Sequence, residues 1–420
     1  MERLVIRGGL PLMGKVRVSG AKNAVLPIIA STLLVENTCQ VIGVPRLADV
    51  NTIVDLISYM GADISWVEDS LTVTARNIKN CEAPYNCVSK MRASFLIMGP
   101  LLARFGQTRI SLPGGCNIGT RPIDLHLKGF AAMGAEISKE GGYVNARVKD
   151  RLIGARIYLD FPSVGATENI MMAAALADGV THIENAAEEP EIVDLANFLN
   201  AMGGKVSGAG TNVVVIEGVP SLKGARHNVI PDRVEAGTYM VAAAMTGGDI
   251  YVENVITEHL KPVIAKIEET GAKVFNGGDG IRVVGSDTIR PVNIQTLPYP
   301  GFPTDMQAQM MTLLTRAQGT SMIVETVFEN RFMHTEELAR MGADIWIDGR
   351  VAVIKGVPEL YAAKVRATDL RGGASLILAA LCAKGETEIS LVHHVDRGYE
   401  KLEQKLTGLG ADIRRIGAND

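Results

Sequence analysis

The sequence predicts an α/β protein made of six copies of one strand–helix–strand–helix unit, arranged as two domains of three units each. Three observations carry that expectation. A short helix-ending motif recurs six times, a second and far more apolar helix precedes each copy, and the last copy lacks a strand that the N-terminus could supply.

The motif reads MGADI at 60–64, MGAEI at 133–137, MGGKV at 202–206, TGAKV at 270–274, MGADI at 341–345 and LGADI at 409–413. Its glycines stand 68 to 73 residues apart. Each copy closes an amphipathic stretch such as VDLISYM, DLANFLNAM or TEELARM, where glycine stops the helix and a β-prone run follows. Upstream of the copies lie NAVLPIIASTLLV, ASFLIMGPLLARF, ENIMMAAALA, AGTYMVAAAM, MQAQMMTLLTR and GGASLILAALCA. A helix that is apolar all round is buried, and small residues let such helices pack closely. Each unit is therefore expected to place one helix inside and one outside, beside a short sheet.

Five of the six copies run on into a further strand, as in SLTVTARN, TNVVVIEG and RVAVIKG, but the sixth stops at GADIRRIGAND. The segment ERLVIRGGLPLMGKVRV at the N-terminus resembles NVVVIEGVPSLKGARHNV and RVAVIKGVPELYAAKVRA. Residues 1–20 are thus expected to fold with the C-terminal units, giving one domain over 21–229 and another over 1–20 plus 230–420. Strand sharing between the chain ends argues against a linear solenoid, which caps its ends instead.

Composition excludes several functions. The 420 residues carry a net charge of −4, which offers no general attraction to nucleic acid or to an anionic membrane. The longest apolar runs, Phe95 to Ala103 and Ser375 to Ala383, are far shorter than the ~18 residues of a membrane span. Arg3, Arg7, Lys15 and Arg17 interrupt the N-terminal apolar residues, unlike a secretory leader, so a cytoplasmic location is expected. Five cysteines without a C-x-x-C pair predict neither a disulfide framework nor a zinc knuckle. No G-x-G-x-x-G or Walker A motif follows a strand, and aromatic residues are too scattered for base stacking.

Chemistry-bearing residues collect where the repeats differ. Lys22, Asn23, Arg92, Asp305, Asp369 and Arg371 sit at the N-terminal ends of the apolar helices. Aspartates there serve as caps, but a cation at a helix N-terminus opposes the macrodipole by about 0.3 to 1 kcal/mol, a penalty an anionic ligand would reverse. The loops after the middle strands add Arg46, Cys116, Arg121, Arg331 and Arg397, guanidiniums suited to phosphate and a thiol in the glycine-rich loop LPGGCNIGTRP. On local grounds Cys116 is either a reactive thiol or a small residue in a tight turn, and Asp305 either a cap or a base. His393 and His394 lack the spacing and partners of a metal site.

In combination, GAKNA at 20–24, MRAS at 91–94, PGGCNIGTRPIDLH at 113–126, GFPTDMQAQ at 301–309, ENRF at 329–332 and DLRGGA at 369–374 resemble the UDP-N-acetylglucosamine 1-carboxyvinyltransferase family of enolpyruvyl transferases over essentially the whole chain. The resemblance implies two inside-out α/β barrel domains of three units each. It also implies transfer of an enolpyruvyl group from phosphoenolpyruvate to the 3-hydroxyl of UDP-N-acetylglucosamine, the first committed step of peptidoglycan precursor synthesis, with no metal or organic cofactor. Lys22, Arg121 and Arg397 match the cations that hold phosphoenolpyruvate. Asn23, Arg92, Arg121, Pro122, Ile123, Asp124, Leu125, Asp305 and Val327 match nucleotide-sugar contacts, and Arg331, Asp369 and Arg371 further substrate-binding positions. Asp305 would take the hydroxyl proton. Cys116 would protonate the methylene carbon, form a covalent adduct with phosphoenolpyruvate and react with the epoxide fosfomycin. The shikimate-pathway enolpyruvyl transferase shares the architecture but lacks the PGGC loop.

Overall fold

The structure is a computed structural model that describes residues 2–89, 91–112, 118–119 and 123–417; the Cys87 side chain also lies outside the described part. The chain divides into two compact units, one of Gly20–Cys116 with Arg121–Ile230, the other of Met1–Ser19 with Asn117–Thr120 and Pro231–Asp420. Among the described residues each unit holds three four-stranded sheets.

In the first sheet the strand Thr38–Ile42 pairs antiparallel with Ser70–Thr74, which turns back onto Asp63–Val67, while Arg226–Asn228 lies parallel on its other side. Alternation decides which face is covered: Cys39 and Val41 are fully buried, while Thr38 is exposed and Gln40 between them half-buried. Among the described residues the other five sheets repeat this order of a parallel edge, a central strand and an antiparallel pair, which is a hairpin in four of them.

Two kinds of helix cover the inner faces. In Lys22–Ser31 every residue but Asn23 is buried, and Val164–Ala174, Arg233–Thr246, Gln307–Leu314 and Leu370–Cys382 are buried almost throughout. These helices form the centre of their units. The helices that precede the repeated motif bury one face only: in Ala48–Met60 it is Val50, Ile53, Val54, Ile57 and Met60, at helical spacing. The motif glycines Gly61, Gly134, Gly203, Gly271, Gly342 and Gly410 all have φ between 91° and 112°, a left-handed conformation that ends the helix and that side chains resist. Close packing of the inner helices needs small residues: a Cβ on Gly129 would strike Ile170, and one on Gly373 would strike Val395.

The N-terminal segment is split between two sheets. Arg3–Arg7 pairs antiparallel with both Glu386–Ser390 and Asp412–Ile416, taking the place that Ser70–Thr74 holds in the first sheet. Met13–Arg17 lies parallel to Asp249–Glu253, the position held by Arg226–Asn228 in the first sheet. Within its unit each set of three repeats is thereby closed, with backbone donors of the last sheet satisfied by a strand distant in sequence.

Candidate active site

In the unit that contains residues 231–420, Asp305 lies in the turn Thr304–Met306 that leads into Gln307–Leu314. Its carboxylate caps no backbone group. Instead Oδ1 accepts from Arg331 Nη2 at 2.8 Å, and Oδ2 accepts from Arg371 Nη2 at 2.9 Å and Nε at 3.2 Å. Both arginine side chains are 4% exposed, and the Asp305 side chain keeps 26% open. Burial by itself would raise the carboxyl pKa, but the Arg371 and Arg331 charges outweigh it and hold the group far below the usual carboxylate range. Asp305 is therefore anionic at any working pH. Arg371 Nη1 is buried without a hydrogen-bond partner.

Asp369 takes the capping role. Its Oδ1 accepts from the backbone N–H of Arg371 and Gly372 at 2.9 and 3.1 Å, starting the helix Leu370–Cys382. Burial works against its charge, but the Gly372 N–H and the Arg331 charge prevail, and its pKa is lowered. Asp305 and Asp369, alike at the sequence level, are thus separated by their partners. Beside them His334 is wholly buried and neither ring nitrogen makes a hydrogen bond. Burial, with the Arg331 charge adding to it, pushes its pKa down despite Asp369, so the imidazole is neutral.

Val327 is placed by Glu325, whose Oε1 accepts from the backbone N–H of Val327 at 2.8 Å and of Phe328 at 3.1 Å. The same carboxylate accepts from Thr296 and, through Oε2, from Thr304, the neighbour of Asp305. Glu325 is 1% exposed, so one buried carboxylate sets the geometry of both segments. Arg397 ends the turn Val392–Arg397. Ile118 O accepts from Asn330 N at 3.0 Å, next to Arg331.

In the other unit Lys22 opens the helix Lys22–Ser31, and its Nζ lies 2.7 Å from Asp49 Oδ2 with both residues buried. Asp49 offsets the mismatch between a lysine and the helix N-terminus. Asn23 beside it is exposed. Arg92 begins the turn Arg92–Ile97, and Asp124 begins the helix Asp124–Ala132. Ile123 is buried, Leu125 packs on the unit's core, and the exposed Asp124 lies 3.3 Å from Lys139. Arg46, expected as a phosphate-seeking guanidinium, is stacked 3.6 Å from the centre of the Trp66 ring and donates to Glu68 O. Cys116, Arg121 and Pro122 lie outside the described residues.

A family model described as EPSP synthase (3-phosphoshikimate 1-carboxyvinyltransferase) matches residues 6–406. Over 99% of its length the chain is 58% identical to UDP-N-acetylglucosamine 1-carboxyvinyltransferase 1 of Halalkalibacterium halodurans, covering 95% of that protein. It is 60% identical to the protein of that name from Caldanaerobacter subterraneus, over 98% of this chain and 99% of the other. The chain belongs to the UDP-N-acetylglucosamine 1-carboxyvinyltransferase family.

Solved structures agree on the fold. The enolpyruvyl transferase NikO from Streptomyces tendae superposes with a TM-score of 0.89 at 26% identity, over 99% of both chains. An EPSP synthase from Acinetobacter baumannii gives 0.77 at 20% identity, over 99% of this chain and 100% of that one, a likeness of fold alone. The α/β architecture expected from the repeats is that of the enolpyruvyl transferase fold. Glu325, Asp49 and His334 were not legible as site residues. Glu325 and His334 flank the segment 327–332 and Asp49 follows Arg46 by three residues, but carboxylates and a histidine at those places have no local pattern that marks them as partners of Val327, Asp369 or Lys22.

Proposed function

We propose that the protein transfers the enolpyruvyl group of phosphoenolpyruvate to the 3-hydroxyl of UDP-N-acetylglucosamine in the cytoplasm, releasing phosphate and opening peptidoglycan precursor synthesis. The observation that carries the reading is near-full-length identity of 55 to 60% to four proteins named for that transfer. In the addition step the sugar oxygen bonds to C2 of the enol while its proton passes to Asp305. Cys116 delivers a proton to the methylene carbon, which becomes a methyl group. In the elimination step a methyl proton returns to the Cys116 thiolate, the double bond re-forms and the C2–O bond to phosphate breaks, the departing phosphate taking up the proton held by Asp305. Atoms and charge balance without a redox partner.

The residues fit those tasks chemically. Phosphoenolpyruvate carries two anionic groups, for which Lys22, Arg121 and Arg397 supply cations. Asn23, Arg92, the segment 121–125, Val327, Arg331, Asp369 and Arg371 are assigned to the nucleotide sugar and its surroundings. A carboxylate held by two guanidiniums is a weak base, so Asp305 becomes effective when substrate draws Arg331 or Arg371 away from it.

Phosphate release on mixing the protein with both substrates tests the reading, with shikimate 3-phosphate as the competing acceptor. Release with the nucleotide sugar alone is expected. Release only with shikimate 3-phosphate, or with neither, overturns the assignment.

A further inference from the structure

The guanidinium of Arg415, on the last strand Asp412–Ile416, has all five of its N–H donors engaged. Two go to the Asp396 carboxylate, Nη2 to Oδ1 at 2.7 Å and Nη1 to Oδ2 at 3.0 Å. Two go to Glu403, Nε to Oε1 at 3.0 Å and Nη2 to Oε2 at 3.2 Å. The fifth goes from Nη1 to Glu2 Oε2 at 3.0 Å. One planar fork thus joins the N-terminal strand region, the turn Val392–Arg397 and the helix Leu402–Gly408. Its side chain is only 24% exposed, which sets it apart from an ordinary solvated ion pair.

Asp396 is the residue before Arg397, and the two share one turn. A bidentate bond fixes the orientation of the Asp396 carboxylate in a plane, not merely its distance, and so restrains the main chain that carries Arg397. We propose that Arg415 is a positioning residue for Arg397, and that through Asp396 it sets the affinity for phosphoenolpyruvate and not for the nucleotide sugar. The proposal rests on the assignment of Arg397 to phosphoenolpyruvate. Lysine offers no such fork: an ammonium is a point charge and cannot hold two carboxylates bidentately.

Steady-state kinetics of Arg415→Gln, Arg415→Lys, Asp396→Asn, the double variant Arg415→Gln/Asp396→Asn and Arg397→Gln decide it. Arg415→Gln is expected to raise KM for phosphoenolpyruvate about tenfold, while KM for UDP-N-acetylglucosamine stays within about twofold. Arg415→Lys recovers only part of the difference. Asp396→Asn reproduces the effect, and the double variant is no worse than Arg415→Gln, because both changes cut one link. An unchanged KM for phosphoenolpyruvate in Arg415→Gln and Asp396→Asn, or an equal rise for both substrates, overturns the proposal. If Arg397→Gln itself leaves that KM unchanged, the assignment of Arg397 is what fails. Asp396→Asn keeps the side-chain volume and supplies the same readout should Arg415→Gln not fold.

Discussion

The Asn169 side chain donates to Nδ1 of His126 across 3.1 Å, and the backbone determines the direction of that bond. Gly99 N–H is a donor only, so the atom 2.7 Å from it is the Asn169 oxygen; Phe95 C=O is an acceptor only, so the atom 3.0 Å from it is the amide nitrogen. The second amide proton then points at Nδ1, which must carry a lone pair. His126 is therefore neutral, with its ring proton on Nε2. Through this one buried amide the turn that begins with Arg92 is tied to the helix that begins with Asp124.

Replacing Asn169 by alanine takes an acceptor from the buried Gly99 N–H and a donor from both His126 Nδ1 and the Phe95 C=O, which keeps its bond from the Met98 N–H. A loss of about 2 to 4 kcal/mol in unfolding free energy is expected from urea titration. Nitrogen-15 NMR of the native protein should show His126 as the Nε2–H tautomer. A wild-type midpoint for Asn169→Ala, or a proton on Nδ1, contradicts the bonding scheme.

Asp305→Asn keeps the volume and removes the charge. If Asp305 accepts the hydroxyl proton, turnover should fall by about 10² to 10⁴ with little change in nucleotide-sugar affinity. Single-turnover rates and equilibrium binding separate the two effects. Turnover within a few-fold of normal would leave Asp305 only the task of pairing with Arg331 and Arg371.

His334 makes stability depend on pH. Its pKa in the folded protein lies below the ordinary imidazole value of about 6.5, because burial and the Arg331 charge disfavour the cation. The unfolded chain takes up a proton as pH falls through that value while the folded protein does not, so stability is full above it and declines below it. The slope is at most about 1.4 kcal/mol per pH unit for one proton. Melting His334→Gln between pH 7 and pH 5 should show a shallower decline than the wild type. Parallel curves would mean that other groups carry the acid sensitivity.

The thiols can be ranked by environment. Burial raises the pKa of Cys39 and Cys81 and pushes Cys382 up to about 12, so none of the three is appreciably thiolate at pH 8. Fosfomycin should label Cys116, as the family resemblance implies, faster with UDP-N-acetylglucosamine present, and Cys116→Asp should stay active while escaping the drug, since a carboxyl still donates a proton but offers no sulfur. Peptide mapping by mass spectrometry reads the result. A label on Cys39, Cys81, Cys87 or Cys382 would remove the loop thiol from the proposed chemistry.

What the sequence determined by itself was the repeat and the kinds of helix. Both depend on local rules: a glycine that accepts positive φ at a helix end, and an apolar pattern that is either one-sided or complete. The family motifs likewise made Lys22, Asp305, Asp369, Arg371 and Arg397 candidates, since cations and carboxylates at otherwise apolar helix starts stand out locally. Which aspartate caps and which meets arginines could not be read from DMQ against DLR. That depends on Arg331 and Arg371 reaching one carboxylate from 26 and 66 positions away. The same holds for Lys22 with Asp49, for the tautomer of His126 and for the fork of Arg415, because hydrogen-bond direction and charge pairing are properties of distances that exist only once distant strands and helices are packed together.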